Sequence, residues 1–147
     1  MPRRTYFVLA LVAIVMLAGC AKRYVKLTQS EVKDTEIAHA TQIANDLILK
    51  MQASQFYPLG DEATARMRHS FTPGEQVIAW KQILDLYGDF QGMEYVHTWA
   101  SRDGLNMRIY RFRGDFSKGA RPEVRVVMDN DGLLAGLWIK DWKEGVE

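Results

Sequence analysis

The sequence predicts an α+β domain in which three helices are followed by a four-stranded antiparallel sheet. Apolar residues recur every three or four positions up to Tyr87, which is the spacing of one helix face, and every second position after Gly88, which is the spacing of a strand. Short turns at Asp103-Gly104 and at residues 129–132 separate the strand candidates, and such turns join antiparallel neighbours. A block of helices before a block of strands is typical of the α+β class.

The first predicted helix is long. Thr28 and Glu31 have the spacing of a capping box at a helix start. A single apolar stripe then consists of Ile37, Thr41, Ala44, Leu47, Ile48 and Met51. Pro58 and Gly60 end this region, because neither residue favours a helix interior.

Two more helices follow. Asp61 is predicted to cap a short second helix that ends near residue 69. Thr72, Pro73 and Glu75 form a sharper start signal for the third helix, which Gly88 ends. The predicted apolar face of this helix consists of Val77, Trp80, Ile83, Leu84 and Tyr87.

The four strands are predicted from alternation. The first contains Tyr95, His97 and Trp99, which share a face if the alternation is regular. The second covers residues 105–116 and places Arg108 on the face of Tyr110. The third covers the region 123–128, and the last covers residues 133–142.

The N-terminus combines a charged start with an apolar run. Arg3 and Arg4 precede residues 7–18, and the run ends in Leu17-Ala18-Gly19-Cys20. This run is shorter than the roughly 20 residues that a membrane-spanning helix needs. A basic start, a short apolar middle and a small-residue end are the pattern of an export signal.

This N-terminal pattern resembles a bacterial lipoprotein signal peptide with its lipobox. The resemblance implies a leader at 1–19, a lipidated Cys20 with a tether at 20–34, and a domain at 35–147. It also implies that the protein is anchored to the membrane through the lipid on Cys20. Because Ala21 rather than Asp follows the cysteine, the resemblance implies the periplasmic face of the outer membrane in a Gram-negative envelope. A Gram-positive source implies the outer face of the cytoplasmic membrane.

Composition excludes several function classes. The chain carries 19 basic and 18 acidic residues, so it lacks the strong positive field that nucleic-acid binding requires. Its 3 histidines are scattered without metal-ligand spacing, and its 1 cysteine is the one predicted to be acylated. We therefore expect no metal, no cofactor and no nucleic-acid partner. The basic residues of the tether are expected to be a solvated linker, or alternatively to lie against anionic headgroups.

The domain resembles the DUF3887 group of the NTF2-like (cystatin-like) superfamily. The similar segments are Thr72-Pro73-Gly74-Glu75 before Trp80, the helix end Leu86-Tyr87-Gly88-Asp89-Phe90, and the closing hairpin at 126–139. The resemblance implies a cone in which a curved sheet wraps a long helix and leaves a cavity at the wide end. The superfamily contains enzymes, binding modules and assembly domains, so the fold alone does not give the function.

The resemblance to cavity-forming domains selects a set of candidate ligand-binding residues. They are Tyr95, His97, Trp99, Arg108 and Tyr110. Enzymes of the superfamily place a base and a proton donor in such a pocket, and His97 is the candidate base here. The alternative is that His97 is an ordinary sheet or core histidine, and no catalytic residue is assigned.

The predicted strands also carry two sets of candidate surface residues. Trp138 and Trp142 are interface candidates, because they share a face opposite Leu137 and Ile139; packing beneath the first helix is the alternative. A second set consists of three arginines on adjacent strands, Arg111, Arg113 and Arg125, with Glu123 and Asp115 nearby. We expect a solvated, charge-balanced face there, with a patch for an anionic partner as the alternative.

The sequence therefore predicts an envelope lipoprotein whose domain binds a small apolar ligand or a protein partner without catalysis. One alternative is a homodimerising or assembly scaffold of an envelope complex. A second alternative is a pocket enzyme of the isomerase or dehydratase type that uses His97.

Overall fold

The computed structural model describes residues 23–146 of the chain. Its helices are α1 (Asp34–Gln52), α2 (Ala65–Ser70) and α3 (Pro73–Tyr87). Its strands are β1 (Tyr24–Lys26), β2 (Phe90–Ser101), β3 (Arg108–Phe116), β4 (Glu123–Met128) and β5 (Leu134–Lys140). The predicted leader and Cys20 lie outside the described residues.

The sheet has five antiparallel strands in the order β1-β2-β3-β4-β5, so the prediction of four strands was wrong. The additional strand is β1, which pairs with the end of β2 through Tyr24↔Ser101, Val25↔Ala100 and Lys26↔Trp99. Part of the predicted 20–34 tether is therefore structured. A strand of three residues carries too little alternation to be seen in the sequence, and its pairing supplies most of its hydrogen bonds. The α+β class itself is confirmed.

The helix boundaries confirm the strongest start and stop signals. In α3, Thr72 accepts a hydrogen bond from the Glu75 amide, and the helix ends at Gly88 with a positive φ of 84°. In contrast, α2 begins after Thr64, whose hydroxyl accepts from the Met67 amide, rather than after Asp61. The capping box at Thr28 and Glu31 closes a single 3-10 turn, Gln29–Glu31, and α1 begins three residues later at Asp34.

The core lies between the helices and one face of the sheet. Helix α1 contributes Ala44, Leu47, Ile48 and Met51 to it, as the predicted stripe requires, together with Ala40, which was not predicted. The prediction for α3 was partly wrong, because Val77 and Leu84 are exposed while Gln76 is buried. The Gln76 amide donates to the carbonyls of Tyr57 and Phe71, so this polar side chain closes the loop before α3 instead of contacting solvent.

A β-bulge at Val96 reverses the alternation of β2. Tyr95 pairs with Phe112, but the next residue pair is His97 with Arg111, which leaves Val96 without a partner in β3. A bulge inserts one residue and shifts every following side chain to the other face of the sheet. Tyr95 therefore packs on the helix side with the core, while His97 and Trp99 lie on the opposite, outer face. The prediction that all three share a face was wrong for this reason.

The last strand ends at Lys140, two residues before the predicted end. Residues 141–146 then fold back across the outer face of the sheet, and we call this stretch the C-terminal strap. Its carbonyl groups accept hydrogen bonds from Arg111 of β3 and Arg125 of β4. The outer face in this region is therefore covered by the chain itself.

Candidate functional site

The helix side of the sheet holds a small polar pocket near the start of β3. It has a volume of about 140 Å³ and is lined in part by Glu36, His39, Arg108 and Tyr110. Arg108 Nη1 donates to Glu36 Oε2 at 2.5 Å, and His39 Nε2 donates to the Gly132 carbonyl at 2.9 Å. Arg108 and Glu36 are thus paired with each other, and His39 is bound to the backbone.

Two of the five predicted ligand-binding residues, Arg108 and Tyr110, line this pocket. Burial, followed by the charge of Glu36, raises the pKa of Tyr110, which keeps the phenol protonated at neutral pH. Tyr95 is on the same side of the sheet but packs edge-on against Phe112, and its hydroxyl lies 2.9 Å from Thr98 Oγ1. His97 and Trp99 are on the other side, so the predicted constellation does not assemble.

The outer face carries a buried charge cluster that the sequence analysis did not predict. Arg111 Nε donates to Glu123 Oε1 at 2.7 Å, and Arg111 Nη2 donates to Oε2 at 3.0 Å. Arg125 Nε donates to the same Oε1 at 2.8 Å. Arg111 and Glu123 are both 0% exposed, so the expectation of a solvated face was wrong. The signal in the sequence was that charged residues alternate with apolar ones in two adjacent strands, Arg111 and Arg113 in β3 and Glu123 and Arg125 in β4.

The strap completes the hydrogen bonding of these arginines. Arg111 donates to the carbonyls of Lys143 and Glu144, and Arg125 donates to the carbonyl of Val146 at 3.1 Å. Buried charges are tolerated when both the opposite charge and the remaining hydrogen bonds are supplied. The strap is therefore part of the charge cluster, to which it contributes backbone carbonyl groups rather than charged side chains.

Trp142 of the strap is stacked on arginine rather than presented to a partner. The Cζ atoms of Arg111 and Arg113 lie 4.2 Å and 3.7 Å from the centroid of its ring. These distances are within the range of cation–π contacts. Trp138 pairs across the sheet with Arg125, so its side chain is on this same outer face. The two tryptophans therefore share a face as predicted, but Trp142 is held against arginines.

His97 is held on the outer face as a neutral imidazole. Arg111 Nη1 donates to His97 Nε2 at 3.1 Å, and the ring lies 6.0 Å from that of Trp99 and 5.9 Å from that of Trp142. Loss of water contact, followed by the charges of Lys26 and Arg111, lowers the pKa of His97 to about 4. Its Nε2 lone pair is engaged by arginine, which removes it from the role of a general base.

This arrangement predicts a specific pH dependence of stability. The pKa of His97 is about 4 in the folded chain and near 6.5 when unfolded, so the unfolded chain binds the proton first as the pH falls. The contribution of His97 to the free energy of unfolding is therefore expected to be greatest above about pH 6.5 and to decrease as the pH drops towards 4. In His97→Gln, which keeps an acceptor for Arg111 but does not titrate, this fall is expected to be smaller. Denaturant unfolding at several pH values measures it.

A matched control separates this effect from general acid sensitivity. His69 is exposed on α2, and His69→Gln is expected to keep the slope of the wild-type chain between pH 6.5 and 4. An unchanged slope in His97→Gln would contradict the assignment of the titration to His97.

A third feature is an apolar groove between α3 and β5, at the far edge of the sheet from β1. It has a volume of about 220 Å³, and its lining includes Ile83, Leu86, Tyr87, Leu137, Trp138 and Ile139. Leu86 is 66% exposed and Trp138 is 50% exposed, so the exposure predicted for Trp138 is confirmed. Trp138 pairs with Arg125, so its indole is on the outer face and borders the groove from that side. A side chain at Gly136 would bring its Cβ within 2.1 Å of the Trp138 ring, so glycine there lets the indole lie flat on the sheet. We call this feature the α3–β5 groove.

Comparisons with known proteins do not extend these observations. No family model, no curated protein and no solved structure matches the chain.

Residues 23–146 contain no group of three or more metal-ligating side chains. Among the same residues, no helix is long and apolar enough to cross a membrane.

Proposed function

We propose that this protein is a bacterial envelope lipoprotein whose domain binds a partner protein through the α3–β5 groove, without catalysis. Acylated Cys20 is the membrane anchor in this proposal, and Ala21 directs the protein to the periplasmic face of the outer membrane in a Gram-negative envelope. The observation that carries the binding function is an apolar groove bordered by two exposed side chains, Leu86 on α3 and Trp138 on the outer face of β5. Contiguous exposed apolar surface on a soluble domain is a mark of interaction sites.

The geometry favours a protein partner over a small apolar ligand. Between α1 and the sheet, where a cone-shaped fold would have its cavity, Phe112 and Val126 are at most 1% exposed, and the pocket beside Tyr110 is polar and measures about 140 Å³. The groove itself measures about 220 Å³, below the roughly 300–1,000 Å³ of typical ligand pockets. A shallow groove that exposes a leucine and a tryptophan suits the side chains of another protein.

The strand beside the groove provides a second reason. Leu134, at the start of β5, exchanges backbone hydrogen bonds with Glu62 and Thr64, so this part of the edge is covered. Among the described strands, β5 pairs only with β4, and its later residues lie on the sheet edge. An extended partner segment along this edge would gain backbone hydrogen bonds and place alternate side chains in the groove.

The geometry is less favourable to a pocket enzyme. The bulge at Val96 places His97 on the face opposite the pocket of Arg108 and Tyr110, and Arg111 binds its Nε2. The order of three helices before strands β2 to β5 is compatible with an NTF2-like domain of the DUF3887 type, and that membership is part of the proposal. The role proposed here does not depend on it.

Photocrosslinking in cells tests the proposed function. A photoreactive phenylalanine analogue is placed at Trp138 or Leu86 of the complete lipoprotein, and at Glu94 as a control whose exposed side chain lies on β2. We expect both groove positions, and not the control, to give the same adduct with one other protein. Leu86→Lys is expected to reduce the adduct formed from position 138 at least several-fold, because a charge then lies in the groove.

Each alternative has a distinct outcome in this experiment. An adduct of twice the mass of the chain would show that the groove binds a second copy of this protein instead of a different partner, as in the scaffold alternative. Equal adducts at the groove and at Glu94, or none at the groove, would overturn the binding function. The anchor is tested independently by the mass of the mature chain, which is expected to begin at Cys20 and to carry diacylglycerol.

A further inference from the structure

We propose that the domain docks on an anionic phospholipid surface through the sheet edge formed by β1 and the β2–β3 hairpin. The surface consists of Arg23, Lys26, Arg102 and the exposed hairpin residue Leu105, and we call it the basic edge. This inference rests on the membrane anchor of the proposed function. It adds which part of the domain meets the lipid and which chemistry recognises it.

The length of chain between the anchor and the fold limits where the domain can lie. Only Ala21, Lys22 and Arg23 separate Cys20 from Tyr24, the first residue of β1. Even fully extended, this connection spans roughly 14 Å. Because β1 is fixed to β2 by strand pairing, the β1 edge of the sheet is held within that distance of the acyl chains. The remainder of the domain has no comparable constraint.

Charge along this edge is complementary to an anionic surface. The Arg102 amide donates to the Arg23 carbonyl at 2.9 Å, so these two residues lie side by side although they are far apart in the sequence. Arg23, Lys26 and Arg102 are all exposed, and Asp103 is the acidic residue next to them. Each lysine or arginine near an anionic membrane surface increases binding by about fivefold.

Leu105 projects from the hairpin tip on the same edge. It is 62% exposed, and its amide donates to Asp103 Oδ1 at 3.2 Å, which fixes the turn. Gly104 and Asn106 on either side have positive φ values of 77° and 51°. The turn thus presents one apolar side chain beside three basic ones, as membrane-surface segments do.

The position of the basic edge is also consistent with a groove that remains accessible. β1 and β5 are the two edges of the sheet, so they are four strand spacings, or about 19 Å, apart. A domain that rests on its β1 edge would hold the α3–β5 groove away from the lipid. The two surfaces can therefore be occupied at the same time.

Two matched leucines allow a direct test. The mature acylated protein is reconstituted in vesicles that contain anionic phosphatidylglycerol, and an environment-sensitive fluorophore is attached to Leu105→Cys or, as the control, to Leu86→Cys. The two leucines have similar exposure, 62% and 66%, but lie on the basic edge and on α3 respectively. We expect a blue-shifted emission that nitroxide lipids quench at position 105, and an aqueous emission at position 86. The triple variant Arg23→Gln, Lys26→Gln and Arg102→Gln is expected to weaken docking by about a hundredfold.

The outcomes distinguish the inference from the proposed function. If the mass of the mature chain lacks the lipid, the anchor and this inference both fail. If the lipid is present but position 105 remains aqueous, or position 86 is the quenched one, only the basic edge is overturned. Equal quenching in anionic and in purely phosphatidylcholine vesicles would overturn the charge argument, because an uncharged surface cannot recognise the three basic side chains.

Discussion

Replacing Glu123 by glutamine is expected to cost about 3–5 kcal/mol of unfolding free energy, although the two side chains have nearly the same shape. Glu123 is fully buried and accepts hydrogen bonds from Arg111 and Arg125. The substitution leaves two buried guanidinium groups without their counter-ion. Equilibrium unfolding in denaturant at neutral pH measures the loss.

A second carboxylate serves as the control for this prediction. Glu94 also pairs with an arginine, Arg121, but the distance is 3.5 Å and both side chains are exposed. Glu94→Gln is expected to change the unfolding free energy by less than about 1 kcal/mol, because exposed pairs contribute little. Similar losses in the two variants would show that Glu123 has no special role.

The same cluster adds a second acid-sensitive contribution. Burial alone would raise the pKa of Glu123, but the hydrogen bonds and charges of Arg111 and Arg125 outweigh it, so the pKa lies below its ordinary value. A depressed carboxyl pKa gives stability that is present above about pH 4.5 and is lost as the pH falls through the folded value. This window lies below that of His97, and the two can therefore be separated by their variants.

Removal of residues 141–147 is expected to lower the unfolding free energy by about 3 kcal/mol. The deletion removes the stacking of Trp142 on Arg111 and Arg113, worth roughly 1–2 kcal/mol, and the buried Val146, worth roughly 1.5–3 kcal/mol. It also exposes the charge cluster to water. The measurement is denaturant unfolding of the full and the shortened chain.

The pH dependence of stability distinguishes a strap that shields His97 from water from a segment that only adds packing contacts. Because the deletion restores water contact to His97, its pKa is expected to rise towards the ordinary value, and the decline in stability between pH 6.5 and 4 should shrink. Lys143→Ala with Glu144→Ala is the control, since both backbone acceptors for Arg111 remain. A deletion that leaves the pH profile unchanged would contradict the role assigned to the strap.

The order of the three helices and of strands β2 to β5 could be predicted from the sequence because their signals are local. Thr72, Pro73 and Gly88 define the ends of α3 through hydrogen bonds and backbone angles within a few residues. The apolar stripe of α1 and the turn at Gly104 are equally local features. These signals were sufficient for the α+β class and for the exposure of Trp138.

The candidate sites depended on facts that no local pattern contains. The bulge at Val96 arises from the registry of β2 against β3, and it moved His97 and Trp99 away from Tyr95. The burial of Arg111 and Glu123 depends on a strap whose acceptors are backbone carbonyls, which are present at every residue and therefore leave no trace in the sequence.

What the sequence by itself determined is the type and order of the three helices and of strands β2 to β5, while the anchor at Cys20 stays a prediction from resemblance. Periodicity and capping act over one or two turns of chain, so they are visible without a fold. Only the tertiary structure decided which side chains meet. Strand β1 exists because the end of β2 offers it a partner, and the groove exists because α3 lies beside β5. Register and strand pairing join residues that are distant in the sequence, and a shift of one residue exchanges the two faces of a strand.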